Sequence, residues 1–387
     1  MNNNIRESIH VTRPLLPTLE KMHEKLAEIW GSQWITNNGI QHQKLESQLT
    51  DYLGAENLSL FNNGTLALLL GLKALELEGE VITTPFTFPA TVQALDWNGL
   101  TPVFCDIEPE TLTIDATKIE ALITEKTSAI LGVHVFGNPC DVLAIQTIAD
   151  KYNLKVIYDG AHSFGAEIAG KPISNFGDMT MFSFHATKLF NTVEGGALVF
   201  KDKSLKQILD QLKNFGIANQ EEVLLSGLNA KMNEIQAAVG IEVLKLVEVE
   251  RLARHKIKKQ YELRLAKLPG IRVLTTLEGV ESSYQYFVIE IDEGEFGHSR
   301  DTIHEKLKGY SVFTRKYFYP LCSDFHWYSH LASARPQNLP QAQKTVNEVL
   351  AMPFYGGLDI EIVNHICEIL EELSTTKNVT SKRMITI

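Results

Sequence analysis

The sequence predicts an α/β fold: a large domain on a mostly parallel central sheet covered by helices, then a smaller α+β C-terminal domain. Three observations carry this. Short β-prone runs alternate with helical stretches through the first half of the chain. Those runs are apolar throughout, as expected for strands covered on both faces. After Gly240 the texture changes to a long, charged, amphipathic stretch.

The elements follow in order. Pro14 and Pro17 suggest an irregular N-terminal arm. "TLEKMHEKLAEIWGSQW" predicts an amphipathic helix stopped near Gly31, and "QHQKLESQLTDYLG" a second helix with a glycine end. "NLSLFNNGT" is a strand with a polar turn, and "LALLLGLKALEL" the helix after it. "EVITTPFTF" and "PATVQALDWNG" repeat that pairing. "TPVFCDI", "TSAILGVHVFG" and "LKVIYDGAHSFGA" are further strands, the last two separated by the helical "DVLAIQTIADKYN". "IEVLKLVEVERLARHKIKKQYELRLAKL" predicts one long connecting helix. Beyond it come the strand "YQYFVIEI" and helices at "SRDTIHEKLKGY" and "LDIEIVNHICEILEEL". The expected division is 1–35 for the arm and first helix, 36–249 for the large domain and 250–387 for the smaller one.

Composition narrows the function. The chain has 387 residues, 44% of them hydrophobic, and a formal charge of −11. The acidic balance argues against a nucleic-acid binder but permits a phosphate-bearing small ligand. Cys105, Cys140, Cys322 and Cys367 form no CxxC pair, which weakens both zinc-site and disulfide readings. The N-terminus has no apolar core of signal-peptide type, and "LALLLGLKAL" is too short to span a bilayer. A cytoplasmic protein without a membrane span is expected.

Ligands of such sheets sit at the carboxyl ends of strands, and chemistry-bearing residues gather there. Asp159 ends an apolar run, where an ionised carboxylate needs a cationic or hydrogen-bonding partner; the other reading is a helix cap or turn former. Lys188 follows another such run, "TMFSF", flanked by Phe184, Leu189 and Phe190. Pointing inward, it would be partly desolvated and a competent nucleophile for a carbonyl; pointing outward, it is a snorkelling surface lysine. Together the two residues match the needs of pyridoxal phosphate (PLP), a lysine for a Schiff base and an acid for the pyridinium nitrogen. "FNNGT" offers a phosphate cup, with Gly64 and Thr65 opening a helix, though the same residues make ordinary turns and caps. Ser183 would add a hydroxyl. Phe88 would stack on the ring unless it belongs to the core. Gly195 and Gly196 would let the backbone pass close to the site.

In these motifs the chain resembles the DegT/DnrJ/EryC1/StrS family of PLP-dependent sugar aminotransferases, a branch of the fold-type-I aspartate aminotransferase superfamily. The similarity runs from "WITNNGIQHQKLE" through "NGTLAL", "TTPFTFPAT", "PVFCDI", "VHVFGNPCD", "YDGAHSFGA" and "SFHATKLFNTVEGGALV" to "GLNAKMNEIQAA" and "AMPFYGGL". It implies that Lys188 is the Schiff-base lysine and proton shuttle, and that Asp159 pairs with the pyridinium nitrogen. It places His162, where the family often has glutamine, near the phenolic oxygen, Phe88 on the ring, and Gly64, Thr65 and Ser183 on the phosphate. Asn229 resembles the asparagine that reaches the phosphate from the neighbouring subunit, which implies a homodimer with shared sites. Related dehydratases carry histidine at the lysine position; here His185 lies nearby but Lys188 is kept, which favours transamination.

The resemblance further implies L-glutamate as amino donor, a pyridoxamine phosphate intermediate and a nucleotide-linked keto-6-deoxy sugar as acceptor. "WITNNGI", "VHVFGNPCDV" and "FSFHATK" look most like a VioA-type branch that makes dTDP-4-amino-4,6-dideoxyglucose for surface polysaccharide such as O-antigen. Amination at carbon 3, or of a UDP-sugar, stays open, as does a non-catalytic PLP-binding sensor or scaffold. Asn38, His185, Arg315, Tyr317 and Tyr319 are candidate substrate contacts. For Tyr317, Tyr319 and Arg315 the other reading is small-domain packing with one surface arginine. Glu194 has no assigned role.

Overall fold

The computed structural model describes residues 8–383, with residues 375–383 described by backbone alone. Residues 1–7 of the expected arm and 384–387 of the expected C-terminal domain lie outside the described residues. Two helices open the chain, α1 (Leu19–Ser32) and α2 (Ile40–Tyr52). There follow β1 (Asn57–Phe61), α3 (Gly64–Ala74), β2 (Glu80–Thr83), α4 (Pro89–Asp96), β3 (Thr101–Phe104), the single turn α5 (Ala116–Ile119), β4 (Thr127–Val133), α6 (Val142–Tyr152) and β5 (Lys155–Asp159). A short ribbon, β6 (Glu167–Ile168) and β7 (Lys171–Pro172), precedes β8 (Met179–Ser183), β9 (Gly196–Phe200) and α7 (Leu205–Leu212).

These strands form a seven-stranded sheet in the order β1-β9-β8-β5-β4-β2-β3. β9 runs antiparallel to both its neighbours, while the other pairings are parallel. The apolar runs are buried on both faces. Ile130, Val156 and Tyr158 enter one core with Ile145 and Ala149 of α6. Their neighbours Ala129, Leu131 and Ile157 enter another with Ala67 and Leu68 of α3. Because β1, β2, β4, β5 and β8 share a direction, their carboxyl ends lie along one edge, and β9 begins at that same edge.

The chain continues through α8 (Glu234–Leu244), α9 (Val247–Leu265), β10 (Ile271–Val273), β11 (Val280–Glu281), β12 (Phe287–Ile291), α10 (Glu293–Phe296), α11 (Arg300–Gly309), α12 (Pro340–Glu348), β13 (Val349–Met352) and α13 (Ile360–Arg383). The expected single long connecting helix is two helices, α8 and α9, broken at Lys245 and Leu246. The cause is a change of surroundings. α8 packs against α1 and α2 and buries Ala237, Ala238, Val239 and Gly240 in succession. α9 keeps a wet, charged face and must leave along a different axis. Its Arg254 is buried only by bonding Glu250 and the Tyr284 carbonyl.

β10, β12 and β13 form a three-stranded antiparallel sheet. Tyr261 of α9, Ile303 of α11 and Val363 of α13 share its apolar core. This C-terminal part is tied to the larger sheet at several points. β11 pairs with β6. The Ser283 hydroxyl donates to the His162 carbonyl at 2.6 Å. The Gln285 amide accepts from Leu189 N–H at 2.7 Å and donates to the Thr187 carbonyl at 3.0 Å. At the N-terminus, Ile9 bridges to Val312.

Candidate active site

A cavity of about 410 Å³ lies at the carboxyl edge of the large sheet. Five strand ends build it. Asn63, Gly64 and Thr65 follow β1, Thr87 and Phe88 follow β2, and Val133 ends β4. Asp159 ends β5 with His162 just beyond, and Ser183 ends β8 with His185 and Lys188 beyond. Glu194 closes the turn into β9, while Tyr286, Arg315, Tyr317 and Phe318 come from the C-terminal part.

Asp159 is placed by register: it lies opposite Val133 of β4 and Met181 of β8. One carboxylate oxygen accepts from Ala161 N–H at 3.0 Å, the other from the Thr91 hydroxyl at 2.7 Å. Burial raises its pKa, opposed by those two bonds and by the Lys188 charge. Lys188 makes no direct hydrogen bond or ion pair with Asp159, and both line the cavity. Burial draws the Lys188 amine down to about 8, with Asp159 opposing and Arg315 adding to the shift. Its ammonium end lies 5.9 Å from the centre of the Tyr286 ring.

His162 sits in an aromatic box of Phe136, Phe318 and Tyr286. Its Nδ1 accepts from Phe136 N–H at 3.3 Å, which puts the ring proton on Nε2. Burial first, then the Lys188 and Arg315 charges, hold its pKa well below the usual histidine range. The ring is a neutral donor.

The phosphate-cup candidate is a true helix start. Asn63 caps α3 by accepting from Leu66 N–H at 2.8 Å. A Cβ on Gly64 would stand 3.0 Å from the Ser183 Cβ. A Cβ on Gly196 would stand 2.6 Å from the Gly64 nitrogen, so the first residue of β9 must be glycine to pass behind the cup.

Of the residues singled out from sequence, Gly64, Thr65, Phe88, Asp159, His162, Ser183, His185, Lys188, Arg315 and Tyr317 line this cavity. Phe88 is half-exposed at its mouth. Asn38, Asn229 and Tyr319 lie outside it. Asn38 is exposed in the bend before α2. Asn229 is exposed and accepts from Lys231. Tyr319 rests beside Arg300 and Lys316. Sequence reasoning missed Thr87, Thr91 and Tyr286. The two threonines stand within the quoted "TTPFTFPAT" as unremarked hydroxyls, and no local signal ties Tyr286 to the distant lysine. Glu194 lines the cavity 3.7 Å from His185.

The constellation suits a flat, cationic aromatic ring bearing a phosphate. It offers a buried carboxylate, a lysine of lowered pKa, an open helix N-terminus beside a serine, and an aromatic face. A profile of the DegT/DnrJ/EryC1/StrS aminotransferase family matches residues 18–371. The chain belongs to that family. It is 46% identical over 367 residues to the dTDP-4-amino-4,6-dideoxy-D-glucose transaminase of Escherichia coli, covering 94% of this chain and 98% of that protein. Among solved structures, DesI in the presence of its TDP-sugar product superposes with a TM-score of 0.92 at 33% identity, covering 98% of this chain and 96% of that one. The PLP form of Spr1654 from Streptococcus pneumoniae superposes with a TM-score of 0.86 at 26% identity, over 94% of this chain and 99% of that one. Fold class and family expectation both hold. Among the described residues no helix is long and apolar enough to cross a membrane.

Proposed function

We propose that the protein is a PLP-dependent aminotransferase that moves an amino group from L-glutamate to dTDP-4-keto-6-deoxyglucose, giving dTDP-4-amino-4,6-dideoxyglucose. The observation that carries this is the placing of Lys188 and Asp159 around one cavity, beside the α3 N-terminus, in a family member so similar to a transaminase of that product. PLP, when bound, supplies an electron sink for the transfer.

The chain's own residues do the rest. Asp159 presents a carboxylate to a cationic ring nitrogen and keeps it protonated. The Gly64 and Thr65 amides and the Ser183 hydroxyl bind phosphate. Phe88 covers a ring face. His162 donates from Nε2 to an oxygen on the ring. Lys188, neutral above about pH 8, would hold the cofactor's aldehyde carbon through Nζ with loss of water, and once the incoming amine displaces it would carry a proton on the freed Nζ. Arg315 offers a cation to the substrate's negative groups at the cavity wall, and Asn38, His185, Tyr317 and Tyr319 are further substrate contacts.

The proposal includes a homodimer. Asn229 lies outside its own chain's cavity, exposed, on a segment that also exposes Phe215, Val223, Leu224 and Leu228. Exposed apolar side chains concentrated on one segment are the mark of a covered surface, and a second copy would bring Asn229 to its partner's phosphate. The same reading divides the chain into an arm at 1–35, a large domain at 36–249 and a smaller domain at 250–387. It places the enzyme in the cytoplasm, in the synthesis of surface polysaccharide.

The test is incubation with PLP, L-glutamate and a panel of nucleotide keto sugars, with the product's amino position read by NMR. A 4-amino product from the dTDP sugar is expected. A 3-amino product, or preference for a UDP-sugar, would overturn the substrate assignment. Failure of glutamate to convert bound PLP to pyridoxamine phosphate would overturn transamination.

A further inference from the structure

Behind Asp159 runs a chain of two hydroxyls that the proposed reaction does not use. Thr91, on the first turns of α4, donates to one Asp159 oxygen at 2.7 Å. Thr87 lies 2.7 Å from the Thr91 hydroxyl. Proton counting orders this chain. Asp159 as carboxylate can only accept, so Thr91 must give it its one hydroxyl proton, and Thr87 must then donate to Thr91. Thr87 and Thr91 are both essentially inaccessible, and Asp159 is nearly so. The other Asp159 oxygen is held by Ala161 N–H. Each oxygen therefore has one bond from the protein and one acceptor position left over, on a carboxylate that lines the cavity.

We infer that Thr91 is a positioning residue for Asp159, with Thr87 behind it. Together they fix the rotation of the carboxyl group about its last bond and hold it ionised for a cation in the cavity. Backbone alone cannot do this, because the Ala161 bond grips one oxygen and leaves the group a hinge. Burial works against the charge, so each bond to the charged form counts at about twice a neutral one. Thr87 also ties the arrangement to the C-terminal part: its carbonyl accepts from the buried Cys322 thiol at 3.4 Å.

This inference rests on the PLP reading, and its test separates the two. Cofactor-free protein is titrated with PLP, with affinity read from visible absorbance. The variants Thr91→Val, Thr91→Ser, Thr91→Ala and Thr87→Val are compared, each checked first by melting. Thr91→Val keeps the shape and loses the donor. It should weaken PLP binding roughly tenfold or more, the scale of one lost hydrogen bond to a charged group. It should also lower kcat more than it changes the KM for the amino donor. Thr91→Ser should restore both, and Thr87→Val should show a smaller loss in the same direction. If Thr91→Val does not fold, the Ser and Ala pair carries the same comparison, since only serine keeps the hydroxyl. PLP uptake by Thr91→Val, or by Thr91→Ala in its place, equal to that of the parent would overturn the inference alone. Failure of the parent to take up PLP would overturn the cofactor reading and the inference with it.

Discussion

Lys188 owes its chemistry to a contest between burial and Asp159. Burial wins, and the amine is drawn down to about 8. Only the neutral amine attacks a carbonyl, so capture of PLP by cofactor-free protein should speed up as pH rises toward 8 and then level off. Below that the rate should fall by about tenfold per unit. Stopped-flow absorbance gives the profile; a flat rate from pH 6.5 to 8.5 would contradict the environment described for Lys188. Asp159→Asn keeps the shape and removes the charge, so the ring nitrogen loses its proton. Turnover should drop by roughly a hundredfold or more, as for removal of a strong electrostatic stabiliser. Unchanged turnover would make Asp159 only a turn residue. Asp159 was legible because a charge at the end of an apolar run needs a partner, and Lys188 because its apolar flanks would desolvate an inward-pointing amine. Thr91 was not, because a hydroxyl is tolerated almost anywhere and only its distance to Asp159 gives it meaning. Tyr319 shows the converse. It shares a motif with Arg315 and Tyr317, yet a loop side chain's direction is set by what packs behind it, here Arg300 and Lys316.

At the scale of elements, one close approach organises the cup. The start of β9 passes directly behind the start of α3, and a side-chain carbon at Gly196 would strike the Gly64 backbone. Backbone cannot retreat as a flexible side chain can. Gly196→Ala should therefore push α3 outward, weaken PLP binding by at least about tenfold and destabilise the protein by about 1–3 kcal/mol. Equilibrium titration and thermal melting measure the two effects; parental values in both would show that the strand end yields freely. The alternation of strands and helices was readable because apolar runs and amphipathic stretches leave different periodicities. The break between α8 and α9 was not readable, because its residues continue a helical pattern. What divides them is how much of each helix the rest of the molecule covers.

For the whole molecule, Asn229 and Lys188 supply a test of assembly. If sites are shared, a mixed dimer of Lys188→Ala with Asn229→Ala carries both defects in one site and neither in the other. Mixing two impaired variants should then restore up to half the parental activity per mixed dimer. No recovery, with subunit exchange verified, would assign Asn229 to its own chain.

The strap formed by residues 280–286 reaches across from the C-terminal part to the two loops that carry His162 and Lys188. Through it β11 joins β6, Ser283 holds the His162 carbonyl, and Gln285 grips the backbone on either side of Lys188. Loss of structure in the C-terminal part would release the loops of the larger part that carry His162 and Lys188. Unfolding should then be a single cooperative event, with the small β11-β6-β7 sheet joining the two larger ones. Calorimetry of the cofactor-free protein should show one endotherm whose van't Hoff and calorimetric enthalpies agree. Gln285→Ala should begin to split it, so that the strap is also the seam along which the molecule would first come apart.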